Sequence, residues 1–417
     1  LPLCRPILKG RKAQAGGILL EQRKKQGARG PAILAGGAII QILTGIPAAW
    51  GIFQPPVMEE YGFEEGQASL VLSWLVASFG VGCVLGGFLQ DKKSPRFAGL
   101  CGTALLTLGM GAAWLLPGGS PFWFYLGFGA PVGLGTAFLY PAVMSCAQKW
   151  FAGRKGLATG VIGAAVGASG AFLSFFVGFV SGRAGIRAAF FWLGALSLAV
   201  CGSASLLLKD PPGKSAGAPA PSAGRDMTPA AMLRTRNYWL CAAGVCLAAP
   251  SVLLFSPILL RLGQERGLGE SAAVWAVALG SLGSAGGRLL MPLVSDKIGR
   301  KAADMILLGA LAGLGAGFAF ARGWLWLGCY ALLTFCYSGQ AALLPAFGTD
   351  LFGLAHAGVN YGFLALGMSA GSILFPLTAA WLGLEAGRHW LAVGAAALGF
   401  GAVACIRMPA GAAGKAP

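Results

Sequence analysis

One arginine stands alone in an apolar run. Residues 283–300 read GSAGGRLLMPLVSDKIGR, and Arg288 lies eight positions before the first charge of the turn that follows, Asp296. At ~1.5 Å per residue, a helix through this run carries Arg288 ~12 Å inward from its charged end. A guanidinium does not lose its charge, and it grips a carboxylate through two parallel hydrogen bonds. None of the fourteen acidic residues falls at a similar depth; all lie in loops, termini or the ends of apolar stretches. The partner implied for Arg288 is therefore an anion from outside the chain. Polar groups interrupt other apolar stretches: Gln41, Tyr140, Tyr337, Gln340, Asn360 and Tyr361. Their amides and hydroxyls are suited to hold a second oxygen or a hydroxyl of the same small anion. Arg288, Tyr140, Gln41, Tyr337, Asn360 and Tyr361 are the candidate binding residues.

Other chemistries lack material. The ten cysteines are scattered without a C-x-x-C spacing, and two histidines leave little for a metal centre, so neither a metal nor a cofactor is expected. The apolar stretches hold no nucleophile–base pair, which argues against an enzyme. The net charge of +17 is the remaining hint of a polyanionic partner such as nucleic acid. Its distribution assigns it a different job.

The elements that must position Arg288 are membrane helices. Hydrophobic residues make up 56% of the chain and charged residues 11%, where soluble domains carry about 25% charged. Stretches of ~20 apolar residues, cut at Pro/Gly clusters, give twelve spans. They lie near 31–54, 67–90, 97–117, 122–148, 156–181, 188–208, 237–260, 270–295, 303–321, 323–349, 358–381 and 389–406. With the N-terminus in the cytoplasm, 24 Lys and Arg fall on the cytoplasmic side and six on the other. The positive-inside rule then places both termini in the cytoplasm, and the basic charge is topogenic. No nucleic-acid partner is expected. Residues 1–30 lack an apolar core followed by a small-residue cleavage site, so they read as a disordered basic tail and not as a signal peptide.

The chain divides into two similar halves. Residues 209–236 are rich in Pro, Ala, Gly and Ser and read as a cytoplasmic linker, with Thr228 capping a short helix before Pro229. The expected units are a six-helix bundle at 31–208, a second at 237–407 and a C-terminal tail at 408–417. GFLQDKKSPR (87–96) follows the second span, and PLVSDKIGRK (292–301) follows the eighth. Duplication of six spans is a known construction for carriers with a site near the midplane between the halves. Small-xxx-small pairs Gly156/Gly160, Gly163/Gly167 and Gly367/Gly371 are expected to be packing surfaces on which the halves rock.

The repeated Gly-x-x-x-Asp-basic-x-Gly-basic-basic turn resembles the signature of the major facilitator superfamily. The first copy has Gly87, Asp91, Lys92 and Arg96, with Ser94 and Pro95 departing from the general form. The second has Asp296, Lys297, Gly299 and Arg300, with Pro292 in place of the leading Gly. These eight residues are the expected cytoplasmic latch, whose contacts differ between open and closed states. WGIFQPPVMEEYGF (50–63), QKWFAGRKGLATG (148–160), LLLKDPP (206–212) and NYG (360–362) narrow the resemblance to the oxalate/formate antiporter and monocarboxylate porter branch. It implies an all-α polytopic protein with twelve transmembrane helices in two pseudo-symmetric six-helix bundles, acting as a monomer in the cytoplasmic membrane. In that branch an arginine of helix 8 binds the substrate carboxylate, and Arg288 sits at that place. Oxalate carriers of the branch add a lysine after NYG. That place falls at or beside Met368, and helix 11 has no Lys or Arg. One cation matches one carboxylate, so the expected cargo is a monocarboxylate such as lactate, pyruvate or formate. The alternatives are a dicarboxylate (oxalate)/formate antiporter, a carboxylate sensor without flux, and a drug exporter. Proton-coupled relatives often carry an acid one turn before the arginine, where this chain has Ser284. Anion exchange or facilitated diffusion is favoured, and a co-transported proton, accompanying the substrate by protonating it, is the alternative.

Overall fold

The computed structural model describes residues 29–211, 226–381, 383 and 387–408. Most of the expected N-terminal tail, residues 212–225 of the linker and the C-terminal tail from 409 lie outside the described residues. The described chain is helical throughout its spans. In order these are α1 (Arg29–Tyr61), α2 (Glu65–Lys92), α3 (Pro95–Leu115), α4 (Pro121–Trp150), α5 (155–184) and α6 (186–207). The second half has α7 (236–265, in pieces), α8 (Glu270–Ile298), α9 (Arg300–Phe320), α10 (Gly323–Phe352), α11 (Ala357–Trp381) and α12 (Arg388–Ala404). Twelve helices in two six-helix bundles make an all-α polytopic membrane protein. The linker helix Pro229–Leu233 begins as its sequence predicts, with the Thr228 side chain accepting from Ala231 N at 3.3 Å.

Turn chemistry sets the helix ends. The PGGSP stretch closes α3 and opens α4, with Gly119 at φ 92° between them. The α5–α6 break is sharper than its sequence suggests. The helix runs unbroken to a single residue, Gly185 at φ 80° and ψ 165°, a conformation that L side chains avoid. α7 is the irregular member: Pro250 and the 3₁₀ turn Ser256–Ile258 divide it into Arg236–Ala248, Pro250–Leu253 and Leu259–Glu265. A proline removes an amide donor and clashes with the preceding turn, which accounts for the break at 250.

The two halves meet along two seams, α5 on α8 and α2 on α11. Lipid tails are as apolar as leucine, so close backbone approach and van der Waals packing hold such seams. On α5, a Cβ added to Gly160 would lie 2.8 Å from the Leu289 carbonyl oxygen, and one added to Gly167 would lie 2.6 Å from the Ala285 Cα. On the other seam, a Cβ on Gly362 would lie 2.5 Å from the Cys83 carbonyl, and one on Gly87 2.5 Å from the Gly358 backbone. Gly367 and Gly371 have a different role from the one their spacing suggests. They face Ala242, Cys246 and Ala249 of α7 inside the same half. The α11 glycines on the inter-half seam are Gly358 and Gly362.

Both seams are closely packed from the charged turns inward as far as Gly167 and Gly80. Gly167 and Gly80 each lie twelve residues from the charged end of their helix, or ~18 Å of a ~30 Å hydrocarbon core. Farther along α5 the contacts fade. A Cβ on Gly170 would meet only the Ser281 hydroxyl at 3.9 Å, and Gly178 and Gly182 have nothing within 4 Å. The halves are thus sealed at the end bearing the α2–α3 and α8–α9 turns. Overpacking such a seam costs about 1–3 kcal/mol. Gly362→Leu is expected to lower the melting temperature in detergent and to disrupt the sealed state. Gly178→Leu, into open space, is expected to leave the melting temperature unchanged.

Candidate functional site

Arg288 lies in α8 with its stem against α5. A Cβ on Gly163 would sit 3.2 Å from the Arg288 Cβ, so the missing side chain makes room for the arginine. Helical side chains lean toward the N-terminus, which for α8 points away from the sealed end. The guanidinium therefore reaches back up the helix from its Cα. Its Nε is buried and has no hydrogen-bond partner among the described residues. The Ser284 hydroxyl, one turn earlier, is paired with Ser338 at 2.7 Å.

Three phenols from three other helices lie in the field of the guanidinium. Tyr140 of α4, Tyr337 of α10 and Tyr361 of α11 all lie within its electrostatic range. Tyr140 and Tyr361 are buried, their rings 5.5 Å apart. Phe79 abuts Tyr140 edge-on at 6.2 Å. The tyrosine pair joins one half to the other, because α4 belongs to the first bundle and α11 to the second. Beneath Tyr361 lies a small void of about 10 Å³ lined by Ser145, Gln148, Thr349 and Gly358 among others. The pair is thus the boundary between the Arg288 cluster and the sealed end.

Gln41 and Asn360 stand apart from this cluster. Gln41 is buried on α1, with Oε1 accepting from Thr44 Oγ1 at 3.0 Å and Nε2 without a partner among the described residues. Among the described residues no hydrogen bond ties it to Arg288. Asn360 precedes Tyr361 but turns toward the linker, where its Nδ2 donates to the Met227 carbonyl at 3.0 Å. Asp226 completes that attachment by accepting from Leu354 N and Ala355 N at 3.0 and 3.2 Å. The placement makes Asn360 part of the staple between linker and α10–α11 turn.

The two copies of the charged turn are built differently. Asp91 Oδ2 accepts from Val359 N at 3.2 Å, at the first turn of α11, and so complements an orphan amide and the positive helix end. Gln90 braces it, donating to Asp91 Oδ1 at 3.2 Å and to Ser145 Oγ at 2.5 Å. In the second copy Asp296 pairs with Arg300, and Arg300 also donates to Asp350 at 3.3 Å and to the Pro292 carbonyl at 3.1 Å. Lys155, from the first half, reaches Asp350 at 3.4 Å. Lys92, Arg96 and Lys297 are exposed and join no ion pair among the described residues. Backbone geometry accounts for the difference. Gly299 turns between α8 and α9 at φ 91° and sets Arg300 four residues after Asp296. In the first copy Ser94 caps α3 on Phe97 N and Pro95 begins it, so Arg96 falls five residues after Asp91 and faces out. Asp350 and Lys155 were not among the sequence candidates. Their charges are unremarkable for helix ends, and only the fold brings them across the seam.

One carboxylate sits deeper than its sequence position suggests. Asp304, at the boundary of the ninth apolar span, lies one turn inside α9 and is 3% exposed. A cavity of about 520 Å³, lined in part by Phe255, Arg266, Phe320 and His389, lies elsewhere in the second half and includes none of the Arg288 cluster.

The sequence profile of the Major Facilitator Superfamily matches residues 34–376 and 242–413. The chain belongs to that superfamily, and it is a multi-pass membrane transporter. The oxalate:formate antiporter of Oxalobacter formigenes is 26% identical over 341 residues, covering 80% of this chain and 79% of the relative. Monocarboxylate transporter 11 of Homo sapiens is 25% identical over 281 residues, 67% of this chain and 59% of that one. Among solved structures, FucP in its outward conformation superposes with a TM-score of 0.68 at 14% identity, over 90% of this chain and 98% of that one. A bacterial homologue of the iron transporter ferroportin in its outward-facing state gives the same TM-score, identity and coverage. At this identity the two structures speak for the fold alone.

The ion pairs differ in exposure, and this predicts their weight. Lys149 and Asp210, 3.0 Å apart, have side chains 29% and 41% exposed, whereas Arg300 is 8% and Asp350 25% exposed. Exposed pairs contribute about 0–1 kcal/mol, and breaking a buried one costs about 3–5 kcal/mol. Asp350→Asn is expected to lower the melting temperature clearly and Lys149→Gln barely, as read by thermal unfolding in detergent.

Proposed function

We propose that the protein carries a small organic monocarboxylate, of the lactate, pyruvate or formate class, by alternating access, with Arg288 as the anion anchor. The observation that carries this reading is the buried Arg288 Nε with no partner among the described residues, with three phenols in the field of its guanidinium. A lone cation at membrane depth is costly, about 2.5–3.5 kcal/mol on insertion scales. A carboxylate arriving as cargo offsets that cost, while Tyr337 and the Tyr140–Tyr361 pair offer hydroxyls to its second oxygen. α11 contains no Lys or Arg, which favours one carboxylate over two. Gln41 Nε2, buried and unpartnered, is a further donor for a substrate that fills the space toward α1.

The sealed end is read as cytoplasmic, because it bears the excess of Lys and Arg. On this reading both termini are cytoplasmic, the membrane is the cytoplasmic membrane, and the conformation faces outward. The Asp91 cap on α11 and the Lys155–Asp350–Arg300–Asp296 network are the cytoplasmic latch, released when the halves rock inward. The bundles correspond to residues 31–208 and 237–407, joined by the linker 209–236, and the working unit is a monomer.

Counterflow in proteoliposomes tests the reading. Vesicles loaded with unlabelled lactate, pyruvate, formate or oxalate are assayed for uptake of the same labelled acid. A charge-assisted hydrogen bond contributes about 1.5–3 kcal/mol, so Arg288→Gln is expected to reduce exchange by at least about tenfold. Monocarboxylates are expected to exchange faster than oxalate. Flux that persists in Arg288→Gln would make the arginine structural, and faster oxalate exchange would move the reading to a dicarboxylate antiporter.

A further inference from the structure

The cavity of about 520 Å³ lies at the end of the second half opposite the seal, where α7 and α9 finish and α12 begins. The corresponding place in the first half is closed. Glu60 and Glu265, in the last turns of α1 and α7, are 205 residues apart, as Asp91 and Asp296 are. Trp114 and Ala319 keep that offset near the ends of α3 and α9, and Arg187 and Arg388, in the first turns of α6 and α12, are 201 apart. In the first half Arg187 crosses to Glu60 at 2.6 Å and to the Trp114 carbonyl at 3.4 Å, with its guanidinium 5.0 Å from the centre of the Tyr61 ring. Tyr61, Phe124, Phe128 and Phe190 continue from there as a chain of ring contacts at 4.9, 5.0 and 5.1 Å.

The second half keeps the helix ends of this arrangement and leaves the space between them open. Arg388 joins no ion pair and no side-chain hydrogen bond among the described residues. Arg266, in the place of Tyr61, donates through Nη1 to the Ala319 and Ala321 carbonyls at 2.7 and 3.2 Å. α12 starts after Gly387 with no side-chain cap and no acidic residue in its first turn. Its first amides therefore lack a side-chain acceptor, and the positive helix end adds to the charge of Arg388. His389 packs its ring on Phe255 and Phe318 at 4.8 and 5.6 Å, and its Nε2 is buried without a partner among the described residues. Glu265 is the acidic member of the lining and is itself partnered. The remaining walls are apolar, from Ile258 and Leu262 on α7 to Phe320 on α9 and Trp390 on α12.

We propose that this cavity binds an anionic phospholipid, its phosphate on Arg388 and the α12 N-terminus and its chains along Leu262, Phe320 and Trp390. Height and surroundings select a lipid over a solute. Phe320 and Trp390 are exposed, and so are Trp324 and Trp381 on the neighbouring helix ends of the same side. Such rings gather where a membrane meets water, at the level of the headgroups. Basic pockets between helices at that level suit lipid phosphates. Two guanidinium groups against one partnered carboxylate leave the lining positive, which favours a net anionic headgroup over a zwitterionic one. The site shares no residue with the Arg288 cluster. Its occupant ties the last piece of α7, Leu259–Glu265, to α9 and α12, and so braces a helix that is divided at Pro250 and at Ser256–Ile258.

The test titrates the full chain in detergent with phosphatidylglycerol and with phosphatidylcholine of the same acyl chains, and reads the bound fraction by native mass spectrometry. The parent is expected to bind phosphatidylglycerol at least about tenfold more tightly than phosphatidylcholine. Arg388→Gln is expected to weaken phosphatidylglycerol binding by at least about tenfold, and Arg187→Gln, at the closed counterpart, to leave it unchanged. Leu262→Trp, which puts a ring into the cavity and keeps both arginines, is expected to weaken it too, and decides the matter if Arg388→Gln does not fold. Equal binding of the two lipids by the parent, or undiminished phosphatidylglycerol binding in either cavity variant, would overturn the proposal. An equal loss in Arg187→Gln would reduce the effect to net charge and overturn it as well. Glycerol 3-phosphate, which has the phosphate without the chains, separates the sources. It is expected to leave the melting temperature unchanged where phosphatidylglycerol raises it, and an equal rise would assign the cavity to a soluble anion instead of a lipid. Binding is read without flux, so the result is independent of the cargo.

Discussion

Polar groups within a bilayer must be satisfied by the protein itself, because hydrocarbon offers no hydrogen bonds. Much of this structure follows from how that demand is met or left open. Thr103, Thr136 and Thr334 bond back to carbonyls of their own helices. Ser284 and Ser338 bond each other. Trp50 donates to the Ala68 carbonyl at 3.1 Å. Against that background the Arg288 Nε, the Gln41 Nε2, the Asp304 Oδ1 and the Gln340 Oε1 are among eleven buried side-chain atoms with no partner among the described residues. In the proposed cycle the donor on Arg288 is met by an anion arriving as cargo.

The seams that carry these groups are built from small residues for a related reason. Rocking requires two surfaces that pack closely yet hold few specific bonds, so most of the seam is backbone against backbone. Specific bonds are concentrated at the sealed end, where Asp91 Oδ2 accepts from the Val359 amide of α11 and Lys155 crosses to Asp350. Farther inward, the Tyr140–Tyr361 ring contact joins the halves at the level of the proposed anchor, and the Ser369 hydroxyl donates to the Val76 carbonyl at 3.5 Å. A substrate that draws on those hydroxyls competes with a contact that holds the halves together. That competition is a direct physical route from binding to opening.

The repeated turn shows how duplicated segments diverge while keeping a role. Both aspartates lie at the end of a helix on a seam. One satisfies an orphan amide of the opposite half, and the other works through an arginine and a second carboxylate. The divergence traces to one backbone choice, Ser94–Pro95 as a helix start against Gly299 as a tight turn. That choice decides whether the following arginine faces inward or out to solvent.

The twelve spans, the division into halves, the repeated turn and the depth of Arg288 were legible in the sequence. Each is a local property: a sum of hydropathies, a proline–glycine cluster, a motif, a count of residues from a charged end. The partners were not. Tyr337 and Asn360 look alike as polar residues in apolar helices, yet one faces Arg288 and the other the linker. Gly367/Gly371 have the same spacing as Gly358/Gly362, yet face the other way. Asp304 reads as a helix-end charge and is buried, while Lys155 and Asp350 become a pair only across the seam. A soluble helix advertises its buried face by contrast with a polar one. A membrane helix is apolar all round, so its sequence records that it is buried in something without recording which face meets lipid, a neighbour or a cavity. That choice is made by packing among twelve helices, and only the tertiary structure decides it.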